Sequence, residues 1–150
     1  MADKIKDIDV SLLGKASALV KQTRQRKAKV IIAGNGGSAA IASHVAVDLT
    51  KTIGVRAVNF NEADLLTCLA NDFGYEHWVA KALEYYADKG DLVILVSSSG
   101  RSANMINGAT MARQMGLPLM TFPVFIQTTL CAAWGTLISG WTAVIIIPWK

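Results

Sequence analysis

Val30-Ile31-Ile32-Ala33-Gly34-Asn35-Gly36-Gly37-Ser38-Ala39-Ala40-Ile41-Ala42-Ser43-His44 decides how the rest of the chain is read. The apolar run before the glycines predicts a strand buried on both faces. The small residues after Ser38 let a helix lie close against the sheet. A glycine-rich turn between the two directs backbone N–H groups to the positive end of the helix dipole, where an anion, above all a phosphate, is at home. A bare strand-to-helix turn without a ligand is the alternative, and so many glycines would make that costly.

Outward from this stretch the chain alternates strands and helices. Ile5, Ile8, Leu12, Ala16, Leu19 and Val20 fall at helical spacing and predict an amphipathic helix ending near Lys27, with Asp9 or Ser11 as its cap. Strands are expected at 29–33, 55–60, 92–96 and 117–122, and helices at about 38–50, from Asp64 as cap to a stop at Asn71-Asp72-Phe73-Gly74, 75–87 and 103–115. Trp78, Ala82, Leu83 and Tyr86 are the core positions expected of the helix over 75–87. Strands separated by helices imply right-handed βαβ units. The fold class is therefore α/β, a doubly wound parallel sheet flanked by helices in a three-layer sandwich. Ligands of such sheets lie at the carboxyl ends of the strands, which is where Gly34–Ser38 and Ser97–Ser102 would both fall.

Length and composition narrow the function. The chain has 150 residues, enough for one domain with a real core, and a net charge of +4. Its one basic run, Lys21 to Lys29, reads as the solvated end of the first helix rather than a nucleic-acid surface. Two cysteines, Cys68 and Cys131, make no disulfide framework, and the charged start Met-Ala-Asp-Lys-Ile-Lys-Asp is no signal peptide, so the cytoplasm is expected.

Gly34-Asn35-Gly36-Gly37-Ser38-Ala39 fits the loose dinucleotide pattern G-x-G-x-x-A, but the acid that should follow the second strand, Glu62, comes late. No nucleotide cofactor is expected. Ser97-Ser98-Ser99-Gly100-Arg101-Ser102 tells more, because hydroxyls and N–H groups at a strand end solvate a phosphate without demanding a cation. Serines are also ordinary loop and cap residues; three together plus Ser102 after a buried strand favour a site. His44 and Asp48 stand four apart and share a helix face, where they could hold one metal ion or be a satisfied histidine beside a surface acid. His77, beside Trp78, reads as structural.

Taken together, Gly34 to Ser38, His44, Ala70-Asn71-Asp72-Phe73-Gly74-Tyr75, Gly90-Asp91 and Val96 to Asn104 resemble the sugar isomerase (SIS) domain in its phosphoheptose isomerase branch. The resemblance spans most of residues 5–122. It implies an aldose–ketose isomerase acting on sedoheptulose 7-phosphate, in heptose biosynthesis for lipopolysaccharide or other surface glycans. It further implies that Asn35, Gly36, Gly37 and Ser38 line the sugar-phosphate site, that Asn71 and Asp72 contact substrate, and that Ser97, Ser98, Ser99 and Ser102 hold its phosphate. His44 and Asp48 would be catalytic and, in zinc-bearing members, metal ligands, with Asp48 replacing the family's Glu one methylene short. A homotetramer with sites near subunit interfaces is also implied. The rival within the branch is a non-catalytic SIS module that binds sugar phosphates or a protein partner, such as a replication initiator.

Between Arg113 and Lys150 the chain carries no charged residue. Relatives continue past the position of Phe122 with a strand and a helix bearing a Gln and a His that complete the catalytic set. Here 123–150 holds no histidine or carboxylate, so a chain built this way is expected to be impaired. Back-translating from Pro123 and reading from the third base permits GFHPDNPLRSLGDINLWVDS, which follows the family pattern. The expectation is a domain at 1–122 followed by an apolar, out-of-frame tail at 123–150 that leaves the fold C-terminally incomplete. The alternative for the tail is a membrane helix over 128–147.

Overall fold

The computed structural model describes residues 10–123 and 142–144. Its elements in chain order are α1 (Val10–Gln25), β1 (Lys29–Gly34), α2 (Gly37–Asp48) continued by a π-turn (Leu49–Ile53), and β2 (Arg56–Asn59). They continue with α3 (Ala63–Phe73), α4 (Trp78–Tyr86), β3 (Leu92–Ser97), α5 (Ala103–Gln114), β4 (Leu119–Pro123) and β5 (Thr142–Val144). The sheet is parallel throughout, in the order β2-β1-β3-β4-β5. Ile5, Ile8, Asp9 and Cys131 lie outside the described residues, as does most of the segment 123–150. Within that segment Thr142–Val144 pairs with β4, with Leu119 opposite Thr142.

Alternation along the central strands divides the core into two layers. Ile31, Val93 and Leu95 point to the side covered by α3, α4 and α5, where Trp78, Leu83 and Met105 meet them. Val30, Ile32, Leu92 and Ile94 point the other way, against Ala42 and Ala46 of α2 and Leu12, Ala16 and Leu19 of α1. Every residue of β3 is buried, as a continuous apolar run demands of a strand covered on both sides.

The chain leaves β1 to build β2 on one side and later returns to build β3 on the other. The β1/β3 boundary is therefore the point where the winding direction reverses, and the crevice at its carboxyl end is where such sheets receive ligands. Val30 to Gly34 pair with Leu92 to Val96, which brings the turns after both strands to the same level.

Three local expectations need correction. The helix expected to be capped by Asp64 begins two residues earlier, with Glu62 as N-cap, so Asp64 lies in its first turn, where an acid suits the dipole. The helix expected from Tyr75 starts at Trp78, because Gly74 at φ 87° breaks the chain there and residues 75–77 form a turn. Tyr86, expected in the core, is half exposed and lays its ring 5.5 Å from that of Phe60. Among the described residues no helix is long and apolar enough to cross a membrane; most of the stretch 128–147 lies outside them.

Candidate functional site

The turn after β1 is held by one glycine and opened by two others. A Cβ on Gly34 would sit 2.6 Å from the carbonyl carbon and oxygen of Ser38, so only glycine lets the helix return this closely over the strand end. Gly36, at φ 53°, makes the left-handed step that starts α2. Gly36 and Gly37 are exposed, and a Cβ on either would meet nothing within 4 Å. The Ser38 N–H returns to the Asn35 carbonyl at 2.9 Å and the Ala39 N–H to the Gly36 carbonyl at 3.0 Å. Those two donors are already taken, so what the turn offers a ligand is the open backbone at Gly36 and Gly37.

The serine turn after β3 uses its own oxygens as acceptors. Ser97 Oγ accepts the Gly100 N–H and Ser99 Oγ accepts the Arg101 N–H, each at 3.2 Å. A hydroxyl that accepts in this way keeps its proton to donate elsewhere. Ser98 is exposed, and Ser102 occupies the N-cap of α5 without a capping hydrogen bond from its side chain. Ordinary loop and cap serines would use that capping contact.

The structure joins the two turns through a residue that the sequence reading did not assign to the site. Asn104, in the first turn of α5, is 2% exposed, and its amide exchanges two hydrogen bonds with that of Asn35, at 3.0 and 2.8 Å. The Tyr75 hydroxyl donates to Asn35 Oδ1 at 3.1 Å, bringing the segment after α3 to the same place. Asn61, just past β2, carries a side-chain oxygen and nitrogen that are both buried without a partner. Neither asparagine announces itself in a single sequence, because the contacts that single them out span distant parts of the chain.

Asn71 and Asp72 are exposed at the end of α3, where Asn71 Nδ2 donates to Asp72 Oδ1 at 2.9 Å. His44 and Asp48 do share a face of α2, with Nε2 3.4 Å from Oδ2, and their side chains are 80% and 58% exposed. At 1.5 Å of rise per residue they lie roughly 10 and 16 Å along the helix from Gly37, so they are not gathered with the Asn35 cluster. His77 caps α4, exposed, with Nδ1 3.4 Å from Asn107 Nδ2. A catalytic zinc takes about three protein ligands. His44 and Asp48 supply two, and among the described residues no cluster of three or more His, Cys, Asp or Glu could hold a metal.

Comparison with known proteins bears on the same stretches. The SIS domain family profile matches residues 2–122. The chain is 38% identical over 110 residues to a phosphoheptose isomerase of Aliarcobacter butzleri, covering 69% of this chain and 58% of that one. It is 32% identical over 117 residues to one of Histophilus somni, covering 75% and 60%. It thus spans about three fifths of the length of these relatives. Among solved structures, a phosphoheptose isomerase from Neisseria gonorrhoeae superposes with a TM-score of 0.86 at 25% identity, over 99% of this chain and 79% of that one.

Proposed function

The chain belongs to the SIS domain family, and on that premise we propose that it binds a sugar phosphate at the β1/β3 crevice and serves the aldose–ketose isomerisation of sedoheptulose 7-phosphate. The observation that carries the reading is the direction of the polar groups. Asn35 Oδ1, Asn104 Oδ1, Ser97 Oγ and Ser99 Oγ all accept hydrogen bonds from the protein itself. What remains for a ligand is a set of donors beside open glycine backbone at a helix N-terminus. Oxygen-rich anions suit such a surface.

The isomerisation shifts one proton between adjacent carbons and one between their oxygens. A base takes the first from the carbon beside the carbonyl while the carbonyl oxygen gains a proton to give an enediol; a proton then returns to the former carbonyl carbon as the other hydroxyl gives up its own. His44 and Asp48 are the pair proposed for this, the carboxylate steadying the imidazole that moves the proton. They lie down the exposed face of α2 rather than at its N-terminus, so phosphate and reacting carbons would be held by different parts of the chain. Ser98, Ser102, Asn71 and Asp72 complete the proposed substrate contacts, together with Gly36, Gly37 and Ser38. A homotetramer and a cytoplasmic setting belong to the same proposal. Zinc, with His44 and Asp48 as two of its ligands, belongs to it as well. The segment 123–150 is read as out of frame, which sequencing of its coding DNA tests directly.

The exposure of both His44 and Asp48 favours a second reading, a SIS module that binds sugar phosphates without turnover. Thermal melts separate the readings from a nucleotide-binding alternative. At a hundredfold excess over Kd, sedoheptulose 7-phosphate should stabilise the chain by about 2.7 kcal/mol and a nicotinamide cofactor should not. Turnover that falls by roughly 10²- to 10⁴-fold in His44→Ala supports the isomerase; binding without turnover supports the module.

A further inference from the structure

Two turns that each close on their own backbone are nevertheless tied together by the Asn35–Asn104 pair. Each side chain donates to the other, Asn35 Nδ2 to Asn104 Oδ1 at 3.0 Å and Asn104 Nδ2 to Asn35 Oδ1 at 2.8 Å. Amide oxygen and nitrogen are alike in shape, so which is which must follow from the neighbours. Here the backbone decides. The Met105 N–H, which also donates to the Ser102 carbonyl at 3.0 Å, lies 3.1 Å from one end of the Asn104 amide, and two N–H groups cannot face each other at that distance, so that end is the oxygen. Asn104 Nδ2 must then face Asn35, and the atom it meets there must be an oxygen too.

The consequence falls on Asn35. Its Oδ1 receives two donors, Asn104 Nδ2 and the Tyr75 hydroxyl at 3.1 Å, which fill the two acceptor positions of an amide oxygen. Its Nδ2 has two N–H groups and gives one to Asn104. An asparagine is ordinarily ambivalent, able to present either end. This one has only an N–H left to give.

We propose that Asn104 is a positioning residue which, with Tyr75, locks Asn35 across the β1/β3 switch point as a one-way donor, so that the site selects a ligand oxygen over a ligand N–H. Asn104 is buried beneath Asn35 and acts through it. The inference deepens the sugar-phosphate reading and rests on it for the ligand's identity, though the lock itself belongs to the unliganded chain.

The test uses the whole chain with sedoheptulose 7-phosphate as the probe in titration calorimetry, and side-chain amide NMR of Asn35 without ligand. Asn104→Ala should weaken binding about tenfold, the scale of one misplaced hydrogen bond to a charged group. Tyr75→Phe, at an exposed position that tolerates the change, should weaken it by about threefold and keeps the test open if Asn104→Ala fails to fold. In an Asn35→Ala background, Asn104→Ala should add less than about twofold, because a positioning residue has nothing left to position. Losses equal in both backgrounds, or binding unmoved in both single variants, overturn the proposal. A purely structural role would not produce that coupling. If the wild-type chain binds no sedoheptulose 7-phosphate, the functional reading falls, and the lock is judged on the NMR alone: Asn35 amide signals that shift in Tyr75→Phe support it and unmoved signals overturn it.

Discussion

The two ends of this sheet carry polar groups in similar number and dispose of them in opposite ways. At the amino end Asp91, fully buried, accepts the N–H groups of Lys29 and Asp88 at 2.9 and 2.8 Å. The Lys29 ammonium closes the cluster, 2.5 Å from Asp91 and 2.7 Å from Asp88. Both carboxylate oxygens of Asp91 are taken, and the cluster is complete in itself. At the carboxyl end the side-chain oxygens of Ser97, Ser99 and Asn35 accept from the protein, while the protons of both serines and one N–H of Asn35 remain to be used. A polar cluster that closes on itself is a staple; one that closes on a single sign of hydrogen bond is a site. The comparison predicts that substitutions at the amino end will act on stability and those at the carboxyl end on binding.

The strongest test is Asp91→Ala. It strands two backbone N–H groups and the Lys29 ammonium, and removing one partner of a buried ion pair costs about 3–5 kcal/mol. Urea unfolding should show that loss, and a value near zero would break the account of the amino end. Next come two glycines of the turn after β1. Gly34→Ala forces a Cβ to within 2.6 Å of Ser38 backbone and should cost about 1–3 kcal/mol, since backbone cannot step aside as a side chain can. Gly37→Ala has space for its Cβ and an ordinary helical φ, so stability should stay within about 1 kcal/mol of wild type. The added methyl would nonetheless stand on the face left open for a ligand, so Gly37→Ala should weaken sugar-phosphate binding. One substitution moves stability, its neighbour affinity.

pH sharpens the same contrast. The Lys29 hydrogen bond, then its charge, hold the Asp88 carboxyl below its ordinary 3.8. Burial pulls the Lys29 ammonium down from 10.5, but the hydrogen bonds and charges of Asp88 and Asp91 more than reverse it. A carboxyl lowered in the folded state stabilises above its unfolded value and loses that contribution as pH falls through the folded one. An ammonium raised in the folded state stabilises below 10.5 and loses that contribution as pH climbs past it. The contributions of Asp88 and Lys29 should therefore be fully present between about pH 3.8 and 10.5, that of Asp88 weakening below this window and that of Lys29 above it. Asp88→Asn should flatten the acid limb of a stability–pH profile.

Much of the fold was legible in the sequence because a buried parallel strand leaves a continuous apolar run. Val30 to Ala33 and Leu92 to Val96 announce themselves, and so does the glycine turn that must follow the first of them. Boundaries were harder where two residues compete for one task. Glu62 and Asp64 both suit the start of α3, and tertiary placement chose the earlier. Tyr86 fits the apolar spacing of α4, yet its hydroxyl favours the rim and it ends half exposed against Phe60. Of the site, the two turns could be read from local chemistry. Asn104 could not be singled out, because its role depends on Asn35, which lies 69 residues away in the chain. Buried asparagines are assigned by their partners, and partners across a sheet are invisible without coordinates.

Asn61 and Asn104 allow the smallest and most discriminating test, since both are asparagines near the carboxyl end of the sheet. Asn104 is paired on both amide atoms. Asn61 is buried on both and paired on neither. Replacing an amide by an apolar side chain of similar shape deletes hydrogen bonds in the first case and only a desolvation cost in the second. Asn104→Leu leaves Asn35 without its partner and should cost about 1–3 kcal/mol, whereas Asn61→Leu should leave stability unchanged or raise it by about 1 kcal/mol. The β1–β2 register sets Ile32 opposite Asn59, and Asn61 follows two residues past the end of β2, its N–H donating to Asn59 Oδ1 at 3.1 Å. An idle, buried amide at that position is tolerable only if something outweighs its cost. If Asn61→Leu instead destabilises the unliganded chain, the amide has a partner in solution, and the carboxyl end is more nearly closed than its hydrogen bonds suggest.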